Sequence, residues 1–230
     1  EFLKFQLEEL EKADLKEGEQ ADVCIVNTCS VTDTADHKDR QAIHRLHREN
    51  PDATLIVTGC YAQIAPEKVS ALDGVDVIVG NQERSRIVEL VSKKLNAVQP
   101  FNNPAFEEMP TGDVEGRTRA FLKIQEGCNQ FCTYCIIPYA RGPLRSRSLT
   151  NIQEEITKLV DRGYLEIVLI GIHLGCYGKE LRKDGINISL YDAVNAALSV
   201  EGLERLRLGS LESVGVEPRL LELMANEPRF

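Results

Sequence analysis

The chain has 230 residues, of which 43% are hydrophobic and 27% are charged, and its formal net charge is −9. This composition is typical of a soluble globular protein and excludes a chain that is disordered throughout. No apolar run approaches the roughly 18–20 residues that a spanning helix needs, so we expect no membrane partner. The acidic balance argues against wholesale electrostatic binding of nucleic acid but leaves local basic patches open.

The seven cysteines are an odd number, and the chain opens on a polar, helix-like stretch rather than a secretory segment. A disulfide framework fits such a chain poorly. We therefore expect a cytoplasmic protein whose cysteines serve as metal ligands or catalytic thiols. Because residue 1 is Glu and not Met, we also expect the chain to be a fragment or a processed product.

Residues 1–98 are predicted to form an α/β domain built on a parallel sheet. The apolar spacing of Glu1–Ala13 predicts a helix. Short, continuously apolar runs follow at Val23–Val26, Thr54–Thr58 and Val75–Val79, with helical stretches between them. Such runs are typical of parallel strands whose sheet is covered on both faces.

A change in amino-acid composition separates the two halves of the chain. Residues 99–117 are rich in Pro and Gly, have no apolar period and are predicted to be a linker. Residues 118–230 return to an alternation of strands and helices. Strands are expected at Ala120–Gln125, Glu166–Gly171 and Leu203–Leu208, and each is followed by a helix.

The helices of this second half are predicted from their caps. Thr150–Gln153 has the pattern of a capping box, ahead of an apolar stripe that ends near Gly163. Ser189 is expected to cap a second helix, and Pro218 is expected to begin a third. Together with their strands, these helices make three βα units, the opening part of a barrel.

The strongest local signal is a set of three cysteines directly after the first strand of the second half. Cys128, Cys132 and Cys135 follow one another with the spacing C-x3-C-x2-C. Three thiolates on a four-iron cluster leave one iron open to bind a substrate, here the amino and carboxylate groups of S-adenosylmethionine. This spacing is the hallmark of the radical S-adenosylmethionine (radical SAM) superfamily.

Two further cysteines stand at the ends of predicted parallel strands. Cys29 ends the first strand and Cys60 ends the second. Because ligands collect at the carboxyl ends of parallel strands, we expect these two thiols to face each other across that edge. Cys24 lies inside the first strand and is interpreted as a small buried hydrophobe. Cys176, after the second barrel strand, is interpreted as an incidental thiol.

Several motifs together resemble the methylthiotransferases. The most specific are Asn27-Thr-Cys-Ser-Val-Thr32, Val57-Thr-Gly-Cys-Tyr-Ala62, Val79-Gly-Asn81 and Glu126–Pro138. Within that family, Tyr139–Gly142, Ser146–Ser148 and Gly171–Gly175 look most like the branch that acts on threonylcarbamoyladenosine in tRNA. The resemblance covers nearly the whole chain.

The resemblance implies a fold and two cofactor sites. The fold is a flavodoxin-like amino-terminal domain followed by the first part of a radical SAM partial TIM barrel. One 4Fe–4S cluster is implied on Cys128, Cys132 and Cys135, where it binds S-adenosylmethionine. An auxiliary 4Fe–4S cluster is implied on three cysteines, of which two match Cys29 and Cys60 and the third is expected upstream of this chain.

The resemblance also implies an activity, that of a tRNA-modifying transferase. A 5′-deoxyadenosyl radical removes the hydrogen at C2 of threonylcarbamoyladenosine next to the anticodon, and a methylthio group takes its place. Tyr134 is implied to lie near the adenine of S-adenosylmethionine, and Glu212 is a candidate to approach the same molecule. The implied partners are tRNA and an electron donor such as a flavodoxin or ferredoxin. As a fragment, the chain by itself is expected to be inactive.

Two other functions stay open. A sister branch of the family modifies an aspartate of a ribosomal protein with the same chemistry. The other alternative is not an enzyme but a zinc-stabilised RNA-binding module, in which Cys176 or His173 completes a site on the three clustered cysteines.

Basic residues are concentrated around the cysteine motif. Between residues 117 and 147 only Glu126 opposes six cations, which are Arg117, Arg119, Lys123, Arg141, Arg145 and Arg147. These cations either form a basic rim that holds phosphates or are ordinary solvated charges. A second set recurs at helical spacing and predicts one polar helix face, exposed to solvent or in contact with RNA: His37, Arg40, His44 and Arg48.

Overall fold

The computed structural model describes residues 21–30, 32–101, 105–112 and 118–230. The helix predicted over Glu1–Ala13 and the side chain of Arg117 therefore lie outside the described residues. The described chain forms one sheet in each half, and the functional cysteines lie where strands of these sheets end.

The first sheet is parallel, with the strand order β1-β2-β3. Its strands are β1 (Val23–Thr28), β2 (Thr54–Gly59) and β3 (Val77–Val79). All three were predicted, but β3 begins two residues later than expected. The backbone N–H of Asp76 still donates to the carbonyl oxygen of Leu55 at 2.9 Å, but the backbone N–H of Leu55 donates to the Asp76 carboxylate at 2.8 Å and not to a strand carbonyl.

Helices cover both faces of this sheet. They are α1 (Asp33–Glu49), α2 (Cys60–Ile64), α3 (Pro66–Ser70) and α4 (Ile87–Ser92). Ile43 of α1 packs on one face with Cys24, and Leu90 of α4 packs on the other with Val79. Cys24 is therefore a buried core residue, as its position inside the first strand predicted.

The second sheet has the strand order β5-β4-β6-β7. Its strands are β4 (Arg119–Glu126), β5 (Arg145–Ser146), β6 (Glu166–Gly171) and β7 (Arg205–Leu208). Strands β4, β6 and β7 are mutually parallel, whereas β5 pairs antiparallel with β4. The short strand β5 was not predicted, because two residues are too few to show a periodic pattern.

The described part of the second half has four α-helices, of which the last three pack on one face of this sheet. The four are α5 (Ile137–Ala140), α6 (Leu149–Asp161), α7 (Leu190–Leu198) and α8 (Pro218–Asn226). Side chains such as Leu122, Ile156 and Val194 are fully buried between sheet and helices. Helices α6, α7 and α8 follow β4, β6 and β7 respectively, which gives the expected succession of βα units. In the described part of the chain, no helix has both the length and the apolar character that crossing a bilayer demands.

One predicted helix cap is correct and one is wrong. Ser189 caps α7 in a capping box that Asp192 completes by accepting from the Ser189 backbone N–H. The capping box predicted at Thr150–Gln153 does not exist. Helix α6 begins at Leu149 instead, because Ser148 is extended and its hydroxyl accepts from the backbone N–H of Asn151 at 3.2 Å.

The described part of the predicted linker packs against both halves. The ring of Phe106 lies under the cationic groups of Lys123 and Arg147. The carboxylate of Glu107 accepts from the backbone N–H of Ser85 and from the guanidinium of Arg84. These contacts connect β4 to the end of the first half. The boundaries at residues 98 and 118 stay predictions.

The end of β2 takes a backbone conformation that only glycine adopts readily. Gly59 has φ 96° and ψ −163°, and a Cβ there would lie 2.6 Å from the backbone nitrogen of Thr28. This turn places Cys60 at the start of α2, so the direction of the Cys60 side chain depends on it.

We expect Gly59→Ala to destabilise the fold more than Gly163→Ala. Both glycines have positive φ, but nothing lies within 4 Å of a Cβ added at Gly163. The clash with Thr28 adds about 1–3 kcal/mol to the backbone strain that both variants share. Urea denaturation of the metal-free chain, followed by circular dichroism, measures the difference. Equal losses of stability would contradict this account of the turn.

Candidate functional site

The cysteine loop leaves the carboxyl end of β4 in a fixed direction. Gly127 has φ 74°, and a Cβ there would collide with the backbone of Pro143. The backbone N–H of Cys128 donates to the carbonyl oxygen of Gly142 at 3.1 Å. The loop is therefore held against residues 142–143 before the first thiol is reached.

The three thiols of the loop differ in exposure. Cys128 is buried, Cys135 is half-buried and Cys132 is exposed. Burial raises the pKa of the Cys128 thiol, and the nearby thiols of Cys176, Cys135 and Cys132 raise it further. Because Cys132 is exposed, one side of the loop is open to solvent.

The donor chemistry of this loop fits an iron–sulfur cluster, because thiolates are the ligands that such clusters take. Across the described ranges, however, no three His, Cys, Asp or Glu side chains are arranged closely enough to hold a metal ion. This finding applies equally to the zinc alternative. The ligand roles of Cys128, Cys132 and Cys135 therefore stay predictions.

Aromatic side chains surround the open side of the loop. The side chain of Tyr134 is 89% exposed, so its ring is accessible to a ligand, and its predicted contact with adenine stays a prediction. Phe131 has a positive φ of 47°, which is uncommon outside glycine. Its ring meets that of Tyr139 edge to face, with the centroids 5.8 Å apart. Both rings border a cleft of about 830 Å³ between the loop and the first half.

His173 brings the predicted residue Glu212 to the cysteine loop. Its Nε2 lies 3.3 Å from the carboxylate of Glu212 and 3.4 Å from the sulfur of Cys176. Its Nδ1 lies 3.9 Å from the sulfur of Cys128. Residues that follow β4, β6 and β7 thus meet at one buried imidazole. From the sequence, only the rule that ligands gather at the carboxyl ends of parallel strands could have predicted that these residues lie close together.

Gln125 is a positioning residue that the sequence analysis missed. Its side chain is fully buried, and its Nε2 donates to the carbonyl oxygens of Glu126 and Gly127, both at 2.9 Å. Its Oε1 accepts from the backbone N–H of His173 at 2.7 Å. One amide therefore fixes both the start of the cysteine loop and the backbone of the buried histidine. The available signal was a polar residue within a buried strand, which requires partners.

The other two predicted cysteines lie at one edge of the first sheet. Thr28 and Gly59 are paired in the ladder, so Cys29 and Cys60 follow neighbouring positions. Cys29 is exposed and Cys60 is buried. Cys24 lies five residues before Cys29, about 16 Å along an extended strand. The edge position agrees with the expectation, and the role of the two thiols as cluster ligands stays a prediction.

Arg141 connects the two cysteine regions directly. Its Nε donates to the sulfur of Cys60 at 3.1 Å, and its Nη1 donates to the carboxylate of Glu126 at 3.0 Å. Glu126 is the last residue of β4, two positions before Cys128. A single guanidinium thus spans from the edge of the first sheet to the start of the cysteine loop.

Glu126 is the centre of a buried ionic cluster. Its side chain is 2% exposed, and its carboxylate lies 2.8 Å from Lys123, 3.0 Å from Arg141, 3.4 Å from Arg145 and 3.7 Å from Arg84. Burial by itself raises the pKa of Glu126, but the surrounding cations outweigh burial and hold the pKa at about 2. The carboxylate is therefore ionised, and it binds cations from both halves of the chain.

Two family models match the chain. Residues 1–80 match the model described as uncharacterized protein family UPF0004, and residues 122–226 match that of the radical SAM superfamily. The second match includes the whole cysteine loop and the strands β6 and β7. The segment from residue 122 to residue 226, which carries the cysteine loop, therefore matches the radical SAM superfamily.

Curated relatives align with most of the chain. Threonylcarbamoyladenosine tRNA methylthiotransferase MtaB of Bacillus subtilis is 44% identical over 89% of this chain and 46% of its own length. The protein of the same name from Aquifex aeolicus is 37% identical over 92% of this chain and 52% of its own length. A tRNA-2-methylthio-N(6)-dimethylallyladenosine synthase of Clostridium botulinum is 36% identical over 91% of this chain and 48% of its own length. The chain spans about half the length of the curated relatives it matches.

A solved structure confirms the fold of the chain. The radical SAM methyltransferase TsrM from Kitasatospora setae, with tryptophan and a SAM analogue bound, aligns over 95% of this chain and 52% of its own. The TM-score is 0.50 at 14% identity, a level at which the likeness concerns fold alone. The predicted α/β architecture, a parallel-sheet domain followed by part of a barrel, is confirmed.

Four of the five described cations around the radical SAM loop bind groups of the chain itself, whereas Arg119 is exposed and Arg117 lies outside the described residues. Three of the six bind Glu126, and Arg119 lies 3.6 Å from the carboxylate of Glu166. Arg147 is buried and donates to the carbonyl oxygens of Lys123 and Met109. Local charge counting failed here because it does not show which cations an internal carboxylate binds.

Glu126→Gln is expected to destabilise the fold by about 3–5 kcal/mol, since it leaves buried cations without their carboxylate. Glu89→Gln is the matched control, because Glu89 binds the exposed cations of Arg86 and Lys93, and we expect little change there. Urea unfolding of the metal-free chain measures both. A loss for Glu126→Gln no larger than that of the control would show that the cluster does not stabilise the fold.

Proposed function

We propose that this chain is part of a tRNA methylthiotransferase that uses radical SAM chemistry. The observation that carries the proposal is the C-x3-C-x2-C loop at the end of β4, within a segment that matches the radical SAM superfamily. Relatives that are 34–44% identical over most of the chain and are named as tRNA methylthiotransferases support it.

We propose threonylcarbamoyladenosine in tRNA as the substrate, with methylthiolation at C2. The relatives of that name from Bacillus subtilis and Aquifex aeolicus are 44% and 37% identical to this chain. The dimethylallyladenosine enzyme of Clostridium botulinum is 36% identical. The 44% identity of the Bacillus subtilis relative exceeds that of the dimethylallyladenosine enzyme and favours the threonylcarbamoyl branch. The proposed partners are tRNA and an electron donor such as a flavodoxin or ferredoxin, and the proposed location is the cytoplasm.

The cysteine loop would hold a 4Fe–4S cluster on Cys128, Cys132 and Cys135. When bound, the cluster supplies the electron for reductive cleavage of S-adenosylmethionine to a 5′-deoxyadenosyl radical. The chain's own residues place the reactants. Gln125 fixes the loop and His173, while the exposed ring of Tyr134 is available to the adenine.

Cys29 and Cys60 are proposed as two ligands of an auxiliary 4Fe–4S cluster. Their shared sheet edge and the exposure of Cys29 support this role. The bond from Arg141 to the sulfur of Cys60 restrains one of the two ligands. Because the same guanidinium binds Glu126, the auxiliary site is held in a fixed relation to the radical SAM loop.

Replacing any one loop cysteine with Ala, in the whole methylthiotransferase of which we propose this chain is part, is expected to abolish 5′-deoxyadenosine formation after anaerobic reconstitution with iron and sulfide. Each thiolate is one of only three anchors of the cluster. Cys24→Ala is the matched control, because Cys24 is a buried cysteine of the first core, and it should retain the activity. Chromatography of 5′-deoxyadenosine and metal analysis of each variant give the answer. Undiminished product from Cys128→Ala, Cys132→Ala or Cys135→Ala, or stoichiometric zinc in place of iron, would refute the assignment.

Deleting the gene that encodes this chain is expected to remove the 2-methylthio form of threonylcarbamoyladenosine from cellular tRNA. The intact gene should restore it and the gene with Cys60→Ala should not, since the auxiliary site then lacks a ligand. Nucleoside mass spectrometry of purified tRNA measures the modification. Loss of the dimethylallyl nucleoside instead would assign the other tRNA branch. An unchanged nucleoside profile would favour the ribosomal-protein alternative.

A further inference from the structure

The solvent-facing side of α1 carries a row of cations. Lys38, Arg45 and Arg48 are exposed, and His37 and His44 lie on the same face. We propose that this basic face, defined by these five residues, binds the phosphate backbone of RNA. The inference rests on the proposed function in one respect, namely that the RNA concerned is tRNA.

Among the described residues, the Lys and Arg side chains of the basic face, Lys38, Arg45 and Arg48, have no ion-pair partner. The acidic residues Asp36 and Asp39 of the same helix turn toward the end of β1, where they accept hydrogen bonds from Ser30 and from the backbone N–H of Cys29. Helix α1 therefore separates its charges, with carboxylates toward the sheet edge and cations toward solvent.

This face differs from the one that the sequence predicted. Arg40 was expected to belong to it, but its guanidinium lies 6.0 Å from the ring centroid of Tyr61 and 3.4 Å from the Tyr61 hydroxyl. The exposed cations Lys38 and Arg45 take its place. Because the net charge of the chain is −9, an unpaired row of cations stands out as a site for a polyanion.

The dimensions of the row suit a nucleic-acid backbone. Lys38 and Arg48 are ten residues apart, about 15 Å along the helix axis. Double-stranded DNA presents one phosphate per about 3.4 Å on each strand, so a row of this length faces several phosphates. Contacts of this kind fix the register of a bound nucleic acid without reading its sequence.

The position of α1 favours RNA over an acidic protein partner. The helix begins four residues after Cys29, so the basic face starts beside the edge that carries Cys29 and Cys60 and extends away from it. A long polyanion that reaches the site from outside would pass along this face. An acidic electron donor would instead have to approach the cysteine loop, which lies in the other half of the chain.

The test compares two triple variants of the whole chain. Lys38→Gln with Arg45→Gln and Arg48→Gln removes the cations of the basic face. The matched control removes three cations that bind neighbouring carboxylates, of which two are exposed and Arg229 is half-buried: Arg86→Gln, Lys93→Gln and Arg229→Gln. Both variants change the net charge equally, and circular dichroism checks that both retain the helix content of the wild type.

The measurement is the affinity of each variant for fluorescein-labelled tRNA, and for an unrelated RNA hairpin, over a series of potassium chloride concentrations. The plot of log K against log salt has a negative slope, and each phosphate contact on a single strand contributes about 0.7 to its magnitude. Loss of three contacts in the basic-face variant should therefore reduce the magnitude of the slope by about 2. The control variant should keep the slope of the wild type. The loss should be the same on both RNA probes, because backbone contacts are independent of sequence.

Three results would overturn the inference. In the first, the slope of the basic-face variant equals that of the wild type. In the second, the magnitude of its slope decreases with tRNA but not with the RNA hairpin. Alternatively, the variant could lose reduction by flavodoxin while its RNA slope stays intact, which would make the face a protein-docking surface. Failure of the proposed tRNA substrate is recognised separately. In that case the cellular nucleosides are unchanged, while the slope on the RNA hairpin still falls in the basic-face variant.

Discussion

A buried carboxylate determines how the two halves of the chain meet. Glu126 ends the first strand of the radical SAM segment, yet one of its cations, Arg84, comes from the first half. Such a cluster is costly to break, because removing one partner leaves another charge buried without compensation. Through Arg141 the same carboxylate is connected to the sulfur of Cys60. The arrangement of the candidate cofactor sites therefore depends on an interaction that contains no cofactor ligand.

The candidate functional side chains lie at the ends of strands, and a few buried hydrogen bonds fix their relative positions. Cys29 and Cys60 follow paired positions of one sheet, and residues after β4, β6 and β7 meet at His173. Parallel strands bring these residues together because their carboxyl ends share an edge. Gln125 then fixes the loop and the histidine with one amide. Local sequence places each residue at its strand end, and long-range hydrogen bonds set the distances between them.

Sequence patterns predicted the regular elements well, because apolar runs and caps are local signals. Strand β6 has the predicted bounds, and Ser189 is the cap that was expected. The predictions that failed had two causes: a neighbouring residue capped the helix instead, or the partner of a side chain lay far along the chain. The cap of α6 moved to Ser148, and the exposed side of α1 includes Lys38 where Arg40 was expected. A cation shows its charge in the sequence, but only the fold shows whether a buried carboxylate or an aromatic ring has already bound it.

Hydrogen–deuterium exchange of the metal-free chain, compared between the wild type and Glu126→Gln, tests the central role of this carboxylate most directly. If Glu126 holds the two halves together, its loss should speed exchange at a distance, in α2 after Cys60 and in the loop from Gly127 to Cys135, because both are held through Arg141 and the end of β4. Faster exchange confined to β4 and its sheet neighbours, with α2 unchanged, would contradict the account.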